Sequence, residues 1–360
     1  VTRITYARSV DDVDPERWDA VAGTEPFGQH RWLRFLEGCL ADFEPRYVLL
    51  WSGGDLRGLA TCHLQRTAHA SILLDNAALR RLASATIRLL PPLTCTVPVL
   101  NRTGLLVHPA SDTASITDQL VTAVRRLGVI ERAPFIAFSD LDPARRDLLT
   151  SNRTLPEVTL PPDAVLDLSA RTYEEWEQDR PRKHRAEIRR VRSRAGDHGV
   201  HVEGVALSEV DDDHVDHLLA SVAERHGNAV LWRSGAVGHA RPRLDDDHAR
   251  LLIARQNGDT IACVLLLASY GSVLVKWIGL DYPRTEPSFA YHLLMTETVR
   301  HALDLGARRL SLGTTTYTLK KKMGARMEPR SLVLGVRPRA ADRLVAAVLD
   351  ARRRRDEAPG

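Results

Sequence analysis

Three consecutive lysines, Lys320, Lys321 and Lys322, stand out in a chain that otherwise writes its positive charge as arginine: of 50 basic residues five are lysine. A GC-rich genome favours arginine, so lysines kept against that bias hint that a primary amine is wanted. An ammonium is a compact charge on a flexible stem, whereas a guanidinium is a planar fork. The same run is also what a solvated basic loop looks like. A second cationic feature lies upstream, where the stretch from Arg180 to Arg194 holds eight basic residues and one acidic residue. At helical spacing Arg182, Arg185, Arg189 and Arg192 fall at i, i+3, i+7 and i+10, beside an apolar stripe of Ile188, Val191 and Ala195. Such a helix can pack and still offer a polyanion a cationic ridge; alternatively its arginines are merely solvated.

Other chemistries find less support. No Ser-His-Asp set is spaced recognisably, so no covalent nucleophile is expected. Cys39, Cys62, Cys95 and Cys263 lie far apart without a CxxC pair, which predicts buried reduced thiols rather than zinc ligands or disulfides. His226, Asp245, Asp246, Asp247 and His248 are poorly spaced for a compact metal site, and the three aspartates read as an acidic helix start. Asp281, Glu286 and His292 are candidate bases, or ordinary loop and packing residues. Tyr291 and Tyr317 could position a substrate or simply pack. Trp232, in a Gly-rich loop, could line a cleft or cover the edge of a core.

These residues need elements to hold them, and the chain reads as an α/β protein in two similar halves. The first half predicts strand 4–9, helices 15–22 and 31–40, the hairpin 46–51 with 56–65, a Pro-broken stretch to 101, strand 104–108, helix 115–127 and strand 135–139. The second predicts strand 164–168, helix 173–195, strand 200–206, helices 212–226 and 245–254, and the hairpin 260–269 with 272–280. Helix 288–305, capped by Gly306, and strands 309–312 and 332–336 complete it. Repetition of one order implies tandem domains. Their expected bounds are 1–155, 163–337 for the catalytic domain, and 338–360 for a closing helix (340–354) and tail, with Pro156, Pro161 and Pro162 interrupting regular structure at the join.

The second half also carries a resemblance. Ser288-Phe289-Ala290-Tyr291-His292-Leu293-Leu294 opens a helix that ends at Leu305-Gly306-Ala307. The strand Arg309-Leu310-Ser311-Leu312-Gly313 follows, then Tyr317-Thr318-Leu319-Lys320 and Met323-Gly324-Ala325. This resembles the C-terminal motif of FemX-like transferases and related tandem-GNAT proteins, with Leu319 where the family usually has Phe. The basic segment Arg182 to Arg190 is similar to the Arg-rich helix that begins the second domain in that group.

The resemblance implies two tandem GNAT-like domains and amide-forming acyl transfer, in which Lys320 offers its ammonium to the tetrahedral oxyanion. Lys322 is the alternative and Lys321 faces solvent if the segment is extended. The arginines, Trp232, Tyr291 and Arg284 become substrate contacts. Acyl-CoA enzymes of the superfamily place a Gly-rich pyrophosphate loop after the hairpin. Here that place reads Arg284-Thr285-Glu286-Pro287-Ser288-Phe289, in which Pro287 removes a donor and Phe289 fills space. The implied donor is therefore aminoacyl-tRNA, with acyl-CoA or an acyl carrier as alternative, the acceptor a small amine or cell-wall precursor, and no bound cofactor is implied.

Bulk properties agree. With 360 residues, 44% hydrophobic and 27% charged, the chain suits a two-domain globular protein. Its apolar runs are too short for a membrane span, and residues 1–10 read as a strand rather than a secretory signal, so a cytoplasmic place is expected. Aromatic residues are 5%, with none interleaved among the arginines as a stacking array, which argues against a non-catalytic RNA- or partner-binding protein.

Overall fold

The computed structural model describes residues 2–64, 89–151, 155–226 and 231–336. Gly53 and Gly54, at φ 64° and 93°, close the hairpin that their sequence announces. In chain order the first strands are β1 (Thr2–Ala7), β2 (Glu44–Ser52), β3 (Asp55–Leu64), β4 (Leu93–Val97), the short β5 (Arg102–Thr103) and β6 (Leu105–Val107), and β7 (Phe135–Leu141). They belong to one compact unit, which comprises the chain up to Glu37, Asp42–Pro161 and the part from Pro329 onward. Gly38–Ala41 and Pro162–Glu328 form the other.

In the first unit β1-β2-β3-β4 are antiparallel neighbours, β7 lies parallel to β4, and residues 331–336 of β14 (Arg326–Val336) pair antiparallel with β7. The second unit contains residues 162–167 of β8 (Glu157–Asp167), with β9 (Val200–Val205), β10 (Ala249–Gln256), β11 (Asp259–Ser269), β12 (Ser272–Leu280) and β13 (Arg309–Ser311). Here β9-β10-β11-β12 are antiparallel neighbours, β13 is parallel to β12, and β8 is antiparallel to β13. The two strand orders are the same, down to the position of the single parallel pair.

Each parallel partner follows a long helix, as a crossover between parallel strands requires. Helix Thr113–Ile130 buries Ile116, Leu120, Val124 and Leu127 against Leu93 and Ile136. Helix Ala290–Asp304 buries Leu294, Met295, Val299 and Ala302 against Val264, Leu266 and Leu310. Each fully buried large apolar side chain contributes roughly 1.5–3 kcal/mol. Cys39, Cys62, Cys95 and Cys263 are buried free thiols.

Several elements depart from the sequence reading. The helix expected over 245–254 is instead strand β10 preceded by a turn, so Asp245, Asp246 and Asp247 start no helix. β10 lies between β9 and β11 with Leu251 to Ala254 buried. A run buried on both faces shows no alternation, and its periodicity cannot separate strand from helix. The helix expected over 173–195 is two helices, Tyr173–Gln178 and Arg182–Asp197, separated at Pro181. Proline lacks the amide that a continuous helix would need there. Phe289, in the left-handed region at φ 58°, likewise separates Tyr282–Ser288 from Ala290–Asp304. Strand β4 within the Pro-broken stretch and helix Pro143–Thr150 went unexpected. The closing helix expected over 340–354 lies outside the described residues.

Candidate active site

β12 and β13 are paired only over Ser272↔Arg309, Val273↔Leu310 and Leu274↔Ser311. Beyond that point β13 ends, whereas β12 runs on to Leu280, its register against β11 shifting around Trp277, which has φ 50°. A bulge of this kind bends a strand away from its neighbour. The chain leaves β13 through Gly313, at φ 84°, a value an L side chain strains to adopt, and enters the short helix Tyr317–Lys322. That helix is tied down by the Tyr317 hydroxyl, which donates to the Pro162 carbonyl at 2.8 Å, and by buried Met323.

Lys320 points inward and is 1% exposed, while Lys321 and Lys322 are exposed. The extended geometry assumed from sequence, which put Lys320 and Lys322 on one face, is corrected here. In a helix they stand roughly 200° apart, so Lys322 cannot replace Lys320. The buried Asp163 carboxylate lies near the Lys320 ammonium and is held by Ser311, whose Oγ is 2.8 and 2.6 Å from its two oxygens. A methyl group added at Gly313 would stand 3.9 Å from Lys320 Nζ, an ordinary van der Waals contact, so it is the positive φ and not the nearness of the ammonium that calls for glycine. Burial lowers the Lys320 pKa to about 8; Asp163 opposes that shift and the Lys276 ammonium adds to it.

Sequence reasoning missed Asp163, Ser311 and Lys276. Lys276 could have been found by the argument applied to Lys320, since it too is a lysine kept in an Arg-rich chain. Asp163 and Ser311 carry no such signal, because their meeting depends on the register of β8 against β13, in which Val165 faces Ser311.

The remaining candidates divide. Tyr317 anchors its helix, and burial, with Asp163 adding to it, pushes its phenol pKa up. His292 belongs with Lys322: burial pushes its pKa down, Glu187 opposes, and Lys322 and Arg190 push it down further. Its ring lies 5.2 Å from Phe289 and 5.9 Å from Tyr291. Burial pushes the Tyr291 phenol pKa up, and the Thr316 side chain, just before the lysine helix, opposes that shift. Trp232 meets Trp277 edge to face at 5.2 Å, beside Lys276 in sequence.

The arginine arc exists on the helix but is not one free ridge. Arg182 and Arg189 are exposed. Arg185 instead donates to the carbonyls of Gln178 and Arg180 at 2.8 and 3.4 Å. Arg192 pairs with Glu177 at 2.9 Å and Glu297 at 3.7 Å and lies 5.0 Å from the Tyr173 ring centre. Arg284 is likewise engaged, donating to Gln256 and pairing with Asp259 at 3.2 Å. The last three therefore hold structure. Among the described residues no group of three or more His, Cys, Asp and Glu side chains gathers as a metal would need, and no helix is long and apolar enough to cross a membrane.

This site, on a split parallel strand pair, sits in a chain whose residues 9–279 match the model of the FemAB-like family, described as peptidoglycan biosynthesis/recognition. The chain belongs to the FemAB-like family. The match stops short of the helix that carries Lys320. No curated protein matches the sequence significantly. Among solved structures, FemX is 11% identical with a TM-score of 0.61, over 95% of this chain and 100% of that one. The C-terminal domain of a protein assigned as a lysylphosphatidylglycerol synthetase from Agrobacterium fabrum is 16% identical with a TM-score of 0.59, over 96% and 97%. A tandem GNAT protein from the clavulanic acid biosynthesis pathway is 12% identical with a TM-score of 0.55, over 93% and 98%. At these identities the likeness shows the tandem GNAT fold alone.

Proposed function

We propose that this FemAB-like protein transfers an aminoacyl group from aminoacyl-tRNA to the amine of a small molecule or cell-wall precursor, with the chemistry at Lys320. The acceptor nitrogen attacks the ester carbonyl carbon, a C–N bond forms, and the oxygen carries negative charge in the tetrahedral intermediate. The C–O bond to the ribose then breaks, the ribose oxygen takes up a proton, and the amine gives one up. The observation that carries this reading is the Lys320 ammonium itself. Its side chain is 1% exposed, near Asp163 and the point where β12 and β13 part, which suits a positive charge aimed at a developing oxyanion. With a pKa of about 8 it is mostly charged at neutral pH.

A tRNA-borne donor is supported by exposed Arg182, Lys183 and Arg189 on one helix and by the segment after β12. There the amides of Arg284 and Thr285 already bond to the Asp281 carbonyl, and Pro283 and Pro287 have none to give. An acyl-CoA pyrophosphate needs free amides at such a helix start. A tRNA donor also places the reaction in the cytoplasm. The test is transfer from a mixed charged-tRNA pool, with and without RNase, beside arms supplying acyl-CoA or a carrier-bound acyl thioester. RNase-sensitive transfer that fails in Lys320→Ala is expected; RNase-resistant transfer from either thioester would move the donor to that class.

A further inference from the structure

The helix Arg182–Asp197 has no phenylalanine, tyrosine or tryptophan among its arginines, but the fold brings rings to it. Arg190 and Arg194 stand one turn apart, across the buried seam of Ile188, Val191 and Ala195 from Arg185 and Arg192. Both guanidinium carbons lie over one ring, that of Phe289, 5.2 and 4.6 Å from its centre, and the His292 ring lies 5.2 Å from the same centre. The two arginines are held differently. Arg190 gives Nε and one terminal nitrogen to Glu187 at 2.9 and 2.7 Å, so its charge is matched and its plane is fixed. Arg194 gives only Nε, to the Pro287 carbonyl at 3.4 Å; it is exposed, and among the described residues no carboxylate pairs with it. Phe289 rests half-buried against the core in the left-handed region at φ 58°, where a bulky residue is strained and glycine would not be. A strained backbone kept by a large ring is explained by what the ring holds, and this one holds both guanidinia.

We infer that Arg190, Arg194, Phe289 and His292 form a site for single-stranded RNA, in which bases stack on the ring-backed guanidinium planes and on the imidazole while Arg194 takes a phosphate. A single strand exposes base faces and phosphates together, and flat side chains next to an unmatched cation meet both. A duplex buries its base faces in its own stack and offers phosphates alone. A guanidinium supplies a plane as well as a charge, which an ammonium does not, and an aromatic ring behind it holds that plane still. That the strand belongs to an aminoacyl-tRNA rests on the function proposed above; the preference for single strands does not.

The test uses the full chain and a fluorescent single-stranded RNA of about eight nucleotides, with the same strand annealed to its complement as a second probe, in anisotropy titrations over a series of salt concentrations. The parent should bind the single strand more tightly than the duplex. Arg194→Met should weaken single-strand binding and flatten its log-log salt dependence by about 0.7. Arg190→Lys combined with Arg194→Lys keeps both charges and removes both planes, so it should lower affinity about fivefold or more at an unchanged slope. Phe289→Leu should do the same; the double lysine variant, at two exposed positions, stays informative where Phe289→Leu does not fold. Arg308→Met, at an exposed arginine outside the helix, should match the parent. Equal affinity for single strand and duplex, or a double lysine variant that binds as the parent does, overturns the inference. Single-strand binding lost in the variants alongside RNase-resistant transfer from an acyl thioester upholds the inference and sinks the tRNA donor. RNase-sensitive transfer with strand binding unmoved by the variants does the reverse.

Discussion

The hydroxyl of Tyr317 meets the carbonyl of Pro162 at 2.8 Å, so the helix that carries Lys320 is tied to the strand that carries Asp163 by a side chain three residues from one and a backbone group adjacent to the other. Tyr317→Phe removes this bond and keeps the ring. It should cost about 1 kcal/mol of stability, read by denaturant midpoint, and reduce transfer less than loss of Lys320 does. A larger loss of transfer than in Lys320→Ala would make Tyr317 a catalytic group.

Lys320→Ala should lower kcat roughly 100- to 1,000-fold, the typical loss on removing one oxyanion donor. Lys320→Arg should not restore it, because a planar fork presents its charge differently from an ammonium. Lys321→Ala, on the exposed face, is the control and should stay near the parent. Full activity in Lys320→Ala would remove the catalytic assignment.

The stability of the protein should rise with pH between about 8 and 10.5 on account of this one group. The sign follows from linkage. Lys320 has a folded value of about 8 and an unfolded value of 10.5, so between them the unfolded chain binds more protons. The cost of burying the charge is present in full below the lower value and relieved as pH climbs through the window. It is on the order of 3 kcal/mol at most. Lys320→Met should flatten the rise in urea melts across this range; an equal rise in both proteins would place its source elsewhere.

Transfer should fall as pH rises through about 8, because the amine that then forms has no charge to offer the oxyanion. The alkaline limb of the pH-rate profile should have its midpoint near 8 and should be absent from any residual transfer by Lys320→Ala. A profile that climbs through this range would instead make Lys320 a base.

Charge reversal at exposed Arg182 and Arg189 should weaken binding of a tRNA donor and flatten its salt dependence, by about 0.7–0.9 in log-log slope for each phosphate left without its cation. The fold should be unaffected. Arg192→Glu should behave differently: it sets like charges against Glu177 and Glu297 and should lower the melting temperature. Equal effects on slope from all three would show that Arg192 serves donor binding after all.

Much of the fold was legible because its signals are local. Gly53-Gly54 fixes a hairpin by its backbone freedom, the apolar spacing from Ile116 to Leu127 fixes a helix, and the repeated order announced two similar halves. The lysine run and the motif from Ser288 to Ala325 pointed to Lys320 on composition and resemblance. Tertiary structure decided the rest. Leu251 to Ala254 became a strand because neighbours on both sides supplied its hydrogen bonds, which an apolar run cannot announce. Lys320 to Lys322 became a helix once Tyr317 and Met323 were anchored, and that turned Lys322 away from Lys320. Asp163 and Ser311 lie 148 residues apart and meet only through the pairing of β8 with β13. Charge and residue type are written in the chain, but the distance between two charges, and the burial that gives that distance its energy, exist only after the strands have found their register.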